Sequence, residues 1–304
     1  MSFPGWIVAL TTPLFVVTWV VAPRETISGT LVSRPVFPDR RPGEPPPIMQ
    51  LHHPQLVYES APTKPIYGLE RVWNVAFTFD DGPHPVYTKR LLEILQRHQI
   101  RATFFINGYW LDARHRRGAP ALRKLVQQAH NAGHTIGNHT YSHARLSLLP
   151  PDEQRWQIMT NHRLIMELTG VRPTLFRPPY ATMTDAAREV IQDLGYAEAL
   201  WSATALDQEV HDPEQISHTV LSWLRTYKGG IVMLHDRFRW SVEATDLILQ
   251  ALERENCRRL RHRRPMFRVV SLDSFLRPPP QSWALQIANG QQRREEQLRQ
   301  LCSR

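Results

Sequence analysis

The stretch FTFDDGPHP, Phe77–Pro85, ends an apolar run on two adjacent carboxylates. The aromatic and β-branched residues that lead into it are typical of a buried strand. Asp80 and Asp81 would be costly to bury there without partners. The Gly82-Pro83 pair that follows is typical of a turn. The two carboxylates therefore belong either to a turn or to a functional site.

Working outward from this strand, short apolar runs alternate with helical patterns over most of the chain. Such alternation predicts βα units around a parallel sheet. Helices are predicted near 87–98, 119–132, 152–169, 184–194, 213–227 and 241–255. Strands are predicted at 72–80, 102–108, 134–140, 173–179, 197–203, 229–236 and 267–272.

Polar residues fall at or just after the ends of these predicted strands. Taken singly, each has an ordinary interpretation, since Asp-Gly is common in turns and a lone histidine is usually a surface or core residue. Taken together they indicate a site, because all the carboxyl ends of barrel strands open onto one face. For this reason we expect a closed or nearly closed barrel rather than an open sheet. The residues are Asp80, Asp81, His139, His143, Arg177, Asp207 and His235.

His139 and His143 are four positions apart, so one helical turn or a tight loop would place both imidazoles on the same side. Two imidazoles and a carboxylate suit Zn²⁺ or a related transition metal, with one position open for water. The HExxH zinc proteases share the spacing but need Glu where this chain has Thr140. A base must come from elsewhere, and the aspartate pair can supply it. Because adjacent strand residues point to opposite faces, we expect the backbone to turn here, so that one carboxylate binds metal and the other faces substrate.

Both ends of the chain differ in composition from the middle. Residues 1–23 carry no charge and are long enough to cross a bilayer, so we interpret them as a membrane anchor in preference to a cleaved signal or a buried helix. Residues 24–66 are a proline-rich linker, and nine prolines lie between Pro35 and Pro65. We assign the folded domain to 67–280, and we interpret the polar tail at 281–304 as a marginal, mostly exposed helix.

The chain is basic, with a net charge of +9 and a pI of about 10.0. Such a charge favours anionic partners. The densest basic cluster, RRLRHRR at 258–264, is interpreted as a solvated helix end, and no nucleic-acid partner is expected. Cys257 and Cys302 are the only cysteines, so a thiolate zinc site is excluded, while one disulfide or none remains open.

Several segments of the chain resemble successive motifs of the polysaccharide deacetylases, carbohydrate esterase family four, also called the NodB homology domain. The resemblance covers about residues 67–280. It implies a fold of the α/β class, a distorted seven-stranded (β/α) barrel of the TIM-like glycoside hydrolase/deacetylase type. The segments are TFDDGP (78–83), HTYSH (139–143), RPPY (177–180), WSATALDQ (201–208) and MLH (233–235).

The resemblance implies a divalent transition metal, Zn²⁺ foremost, with Co²⁺ or Ni²⁺ as alternatives. Asp81 would be one metal ligand, with His139 and His143 as the other two. Asp80 would be the general base for the attacking water, and Arg177 would hold it in place.

On the other side of the implied site, His235 would be the general acid and the backbone N–H of Tyr180 would face the oxyanion. A neighbouring carboxylate would keep His235 protonated. The motif near Trp201 departs from the family pattern WSxDTxDW, because Thr204 and Gln208 stand at its first Asp and its Trp. Asp207 is the carboxylate that remains, and we expect the sugar to be bound differently.

The implied activity is hydrolysis of N-acetyl groups on an acetylated polysaccharide, peptidoglycan first and a chitin-like glycan next. An O-acetyl esterase and a catalytically silent glycan-binding domain are the alternatives. We expect the enzyme at the cell envelope, either anchored with its domain outside the cytoplasm or secreted.

Overall fold

The computed structural model describes residues 73–275 together with residues 296, 299, 300 and 302. The predicted anchor at 1–23, the linker at 24–66 and most of the tail at 281–304 lie outside the described residues and stay predictions. Among the helices that are described, none combines the length and apolar character that crossing a bilayer requires.

All seven predicted strands are present, and every pairing between them is parallel. Most are shorter than predicted, and three of them have only two residues, because sheet pairing requires a neighbour in register as well as an apolar run. The strands are β1 Asn74–Asp80, β2 Thr103–Ile106, β3 Thr135–Asn138, β4 Leu175–Phe176, β5 Ala197–Glu198, β6 Gly230–His235 and β7 Arg268–Val269.

The sheet curls into a nearly closed ring, which confirms the predicted barrel. Its strand order is β5-β4-β3-β2-β1-β6, and β7 adds to the start of β1. Between β5 and β6 the ring is closed by a single parallel bridge from Ala203 to Val232. Ser202 and Ala203 donate backbone hydrogen bonds to the Ile231 carbonyl there, and Met233 donates to Ala203.

Between residues 73 and 275, six α-helices pack around the outside of the ring. Each has an apolar row at helical spacing, such as Leu91, Ile94 and Leu95 of the first helix, and burying these rows is what holds the helices on the sheet. The helices are α1 Tyr87–Arg97, α2 Ala119–Asn131, α3 Pro151–Thr169, α4 Asp185–Asp193, α5 Pro213–Tyr227 and α6 Arg239–Arg261. The basic cluster at 258–264 covers the end of α6 and the following loop, and none of its residues is buried.

The alternation of side chains along β1 decides where its last carboxylate lies. Val75, Phe77 and Phe79 pack in the outer core beneath the helices. Ala76 belongs to a second cluster that fills the barrel interior, with residues from β2, β4, β5 and β6. By the two-residue period of a strand, Asp80 continues this inner row. It therefore reaches the mouth of the barrel from inside.

Candidate metal centre and catalytic site

Asp80 is held at the mouth of the barrel by a fully buried arginine. Arg177, directly after β4, donates from Nη1 to Asp80 Oδ1 at 2.7 Å and to Thr78 Oγ1 at 2.8 Å. Its Nε and Nη2 donate to the carbonyls of Ala199 and Leu200 at 2.9 and 2.8 Å. With all three guanidinium nitrogens engaged, the arginine gives the Asp80 carboxylate one fixed orientation and a compensating charge.

Asp81 leaves the strand geometry at once. Its φ of 70° lies in the left-handed region, so the backbone turns at Asp81 itself and not first at the glycine that follows. Gly82 is required for a different reason. A Cβ on this residue would overlap the buried carboxylate of Asp236, so any side chain here would force Asp236 to shift.

Two imidazoles face the Asp81 carboxylate. Asp81 Oδ1 lies 3.6 Å from His139 Nε2 and 3.2 Å from His143 Nε2. The loop after β3 that carries both histidines has positive φ at Thr140 and His143, so it is the tight loop and not the helical turn of the two alternatives. The two rings are 4.9 Å apart.

His139 is oriented for ligation by a backbone contact. Its Nδ1 lies 2.6 Å from the Arg177 carbonyl, which can only accept, so Nδ1 carries the proton and the Nε2 lone pair faces Asp81. Burial lowers the pKa of His139 to about 3, which keeps the ring neutral as a metal ligand requires.

The donor set at this point fits a transition metal. Asp81, His139 and His143 can each offer one ligand atom, and these atoms all lie within 4.8 Å of one another. Asp81 Oδ1 is buried and no donor hydrogen-bonds it within the described part of the chain. An unsatisfied buried carboxylate oxygen facing two imidazoles is costly unless a cation fills the space between them. Two nitrogens and one oxygen are the ligands that Zn²⁺ accepts.

His235, the last residue of β6, lies beside Asp80 in the sheet register and is bound by Asp207. Asp207 is fully buried; its Oδ1 lies 2.8 Å from His235 Nδ1, and its Oδ2 accepts the His235 backbone N–H at 2.8 Å. Burial alone would lower the pKa of His235, but the Asp207 carboxylate more than offsets this and the pKa rises to about 9. The ring is therefore protonated at neutral pH. Because Asp207 engages Nδ1, Nε2 is the nitrogen that can donate a proton to another group.

Thr204 and Gln208, the two residues that depart from the family pattern, make different contacts. Thr204 accepts a local hydrogen bond from the Leu206 backbone at 3.3 Å and so serves a turn. The side-chain amide of Gln208 lies 2.9 Å from His235 Nε2. Because the protonated ring donates from Nε2, the amide must present its oxygen there, and the two amide ends are interchangeable by rotation.

Tyr180 lies beside the metal-ligand set in the loop after β4. Its φ of 59° is left-handed, and its side chain is 55% exposed with the ring 4.8 Å from that of His143. The predicted oxyanion role of its backbone N–H stays a prediction, as do the roles of the other site residues.

Sequence reasoning missed Asp236 and Arg237, which follow His235 in the chain. Asp236 is buried beneath Gly82 and accepts from Thr88, while Arg237 Nη1 lies 3.9 Å from Asp81 Oδ2. The only signal was their position directly after a strand-terminal histidine, which locates them at the catalytic face without assigning them a contact.

Comparison with known proteins identifies similar chains. A family model described as polysaccharide deacetylase matches residues 71–199. A peptidoglycan-N-acetylglucosamine deacetylase from Bacillus cereus is 35% identical over 164 residues, which are 53% of this chain and 72% of that protein. The peptidoglycan-N-acetylmuramic acid deacetylase PdaC from Bacillus subtilis is 32% identical over 178 residues, which are 59% of this chain and 35% of that protein.

A solved structure gives the same result in three dimensions. The Bc1960 peptidoglycan N-acetylglucosamine deacetylase superimposes with a TM-score of 0.60 and 28% identity, covering 71% of this chain and 93% of that one. The chain spans less than two thirds of the length of the first curated relatives it matches, 65% and 35%.

Proposed function

This chain belongs to the polysaccharide deacetylase family, and on that basis we propose that it is a metal-dependent hydrolase that removes N-acetyl groups from the amino sugars of peptidoglycan. One observation carries the proposal. The orphaned Asp81 oxygen faces two imidazoles, directly beside an aspartate that Arg177 holds in a fixed orientation.

Asp81, His139 and His143 would hold the metal, which we propose to be Zn²⁺, with Co²⁺ and Ni²⁺ as the alternatives. A metal held there would supply Lewis acidity, polarising the acetamide carbonyl and lowering the pKa of water.

Proton transfer is then carried out by side chains at the ends of the adjacent strands β1 and β6. Asp80 accepts the proton of the attacking water, and its contact with Arg177 holds the carboxylate in position for that purpose. His235 donates from Nε2 to the leaving amine, while Asp207 on Nδ1 keeps the ring charged. The Gln208 side chain hydrogen-bonds this Nε2 in the structure. The leaving nitrogen of the substrate must therefore replace Gln208 as the partner of Nε2. The backbone N–H of Tyr180 faces the developing oxyanion.

The remaining segments of the chain suit an enzyme of the cell envelope. In our proposal residues 1–23 anchor the chain in the membrane, residues 24–66 act as a semi-rigid spacer, and the domain at 67–280 works outside the cytoplasm on the wall.

The test is acetate release by the full chain. The protein is stripped of metal with a chelator, reloaded with Zn²⁺, Co²⁺ or Ni²⁺, and offered peptidoglycan, chitin oligosaccharides and an O-acetylated polysaccharide. Metal-dependent acetate release from peptidoglycan is the expected result. Release from the ester substrate alone would make the chain an O-acetyl esterase. Glycan binding without acetate from any substrate would make it a silent binding domain.

Two single variants separate the roles of the paired aspartates and the histidines. Asp80→Asn should keep metal binding but lower turnover by roughly a hundred-fold or more, because only the proton acceptor is lost. His139→Ala should lose both, since it removes a ligand. Bound metal is measured by elemental analysis and turnover by acetate release, with circular dichroism as the control for folding. Equal loss of metal in both variants would show that the roles are misassigned.

A further inference from the structure

Three arginines lie around the metal-ligand set, in loops that follow three different strands. Arg116 is in the loop after β2, Arg145 lies two residues beyond His143 after β3, and Arg237 lies two residues beyond His235 after β6. These loops leave the carboxyl ends of barrel strands, so all three residues are on the catalytic face. We call Arg116, Arg145 and Arg237 the arginine rim.

On one side of the metal-ligand set, a row of stacked groups leads outward from His143. The Tyr180 ring lies 4.8 Å from that of His143, and the Arg145 guanidinium lies 4.2 Å above the centre of the Tyr180 ring. Arg145 itself is exposed, so its charge faces solvent at the entrance of the site.

The other side repeats the arrangement around Trp110. Arg237 Nη1 lies 3.9 Å from Asp81 Oδ2, and its guanidinium lies 5.5 Å from the Trp110 ring centre. Arg116 stacks on the same indole at 4.2 Å. An aromatic ring with an arginine on it thus flanks the site on both sides, which is a surface suited to a sugar ring that carries an anion.

The positive charges of the arginine rim explain why its ligand should be an anion. Among the described residues, no carboxylate lies within ion-pair distance of Arg116 or Arg145. Within the described part of the chain, Asp81 supplies the one carboxylate at ion-pair distance from Arg237, and a divalent cation would neutralise its charge. Arg237 would then face a metal site with its charge uncompensated. Unpaired arginines also occur on the outer helices, so it is the placement of these three on the catalytic face that carries the inference.

We propose that the arginine rim binds carboxylates of the substrate, so that the enzyme selects an acetylated glycan bearing carboxylate groups over a neutral, chitin-like one. This inference rests on the proposed deacetylase function and specifies its substrate class. The carboxylates available on peptidoglycan are those of its lactyl and peptide substituents.

The test uses one glycan in two charge states. Peptidoglycan fragments with free carboxylates are compared with the same fragments after conversion of the carboxylates to methylamides. The full chain should show a higher kcat/KM on the free form, and the preference should weaken with added salt, since exposed charges are screened. Arg116→Gln combined with Arg145→Gln should reduce the preference by roughly ten-fold. Arg145→Lys should retain most of it, because the charge remains.

A matched control lies on α6. Arg254 is an exposed arginine fifteen residues beyond the start of α6, about 22 Å along the helix. Arg254→Gln should leave the preference unchanged.

The outcomes separate the two proposals. Equal rates on both forms, or a preference that survives in the double variant, would contradict the proposal that the arginine rim binds carboxylates. Either result would leave the proposed deacetylase function standing. Absence of acetate from either form would reject the deacetylase function. Equilibrium binding of the two forms to the metal-free protein then still tests the rim, and equal affinities would overturn it.

Discussion

Asp80 and Asp81 are neighbours in the chain, yet their carboxylates lie in different surroundings. Asp80 accepts from a buried guanidinium, whereas Asp81 faces two imidazoles and has a buried oxygen that no donor in the described part of the chain hydrogen-bonds. A third carboxylate, Asp207, contacts His235 and keeps that ring charged. The role open to each carboxylate therefore follows from its nearest partner, because that partner fixes its orientation.

The pairing of His235 with Asp207 predicts the alkaline side of the pH profile. The pKa of His235 is raised to about 9, so the ring is charged at neutral pH and activity should fall as pH rises through about 9. The same contact contributes stability that is complete below the unfolded pKa of about 6.5 and is lost as pH rises through about 9. Asp207→Asn removes the charge, and the alkaline limb of kcat/KM should move at least one unit to lower pH.

Asp212→Asn is the matched control for this prediction. Asp212 caps α5 by accepting from the backbone of Glu214 and Gln215, and asparagine caps equally well. The control should leave the pH profile unchanged. An unmoved alkaline limb in Asp207→Asn would mean that His235 is not the acid.

At the scale of elements, the end of β1 and the end of β6 form one unit. The two strands pair in register from Val75 with Gly230 to Asp80 with His235, so the proposed base and the proposed acid leave adjacent strands at the same level. Just beyond, Gly82 lies against the carboxylate of Asp236. This close approach places the Asp81 turn directly against the adjoining loop.

Gly82→Ala should therefore damage the site through packing. The new Cβ would overlap Asp236, so we expect the free energy of unfolding to fall by about 1–3 kcal/mol. The affinity for Zn²⁺ should weaken as well, because the neighbouring Asp81 must shift. Both are measurable, by chemical denaturation and by metal titration.

Gly118→Ala is the comparison for this variant. A Cβ at Gly118 would meet nothing within 4 Å, and its φ of −82° suits any residue, so stability and metal affinity should stay close to those of the wild type. Wild-type metal affinity in Gly82→Ala would show that the close approach does not position Asp81.

At the scale of the whole molecule, a disulfide joins α6 to the end of the chain. Cys257 lies in the last part of α6 and pairs with Cys302, 45 residues later. Sequence spacing left this pairing open. Structural disulfides persist in oxidising compartments, so the pairing supports the proposed location outside the cytoplasm.

Cys302→Ser should lower stability and leave catalysis intact. Removing a cross-link that closes a loop of this length costs about 2–4 kcal/mol. The bond lies toward the far end of α6 from the catalytic face, so acetate release at low temperature should equal that of the wild type. Thiol titration of the unreduced, denatured wild type should find no free cysteine. Two free thiols would contradict the pairing.

Much of the fold was predictable from the residues because its signals are local. Apolar periodicity located all seven strands and six helices, since each element buries one row of side chains whatever its neighbours are. The lengths of β4, β5 and β7 were overestimated, because a strand extends only as far as a partner accompanies it. Ring closure at Ala203 is a pairing between distant segments and left no local signal.

The sequence by itself determined which residue types are available for the proposed metal-binding and acid–base roles and their order, because strand ends of a parallel barrel meet on one face. Only the tertiary structure decided their contacts. It turned Asp81 toward the histidines, brought Gln208 to the nitrogen of His235 and gathered Arg116, Arg145 and Arg237 from three loops. The physical reason is distance along the chain. A motif records which groups are available, whereas hydrogen bonds and charge interactions depend on separations of a few ångströms that only folding sets.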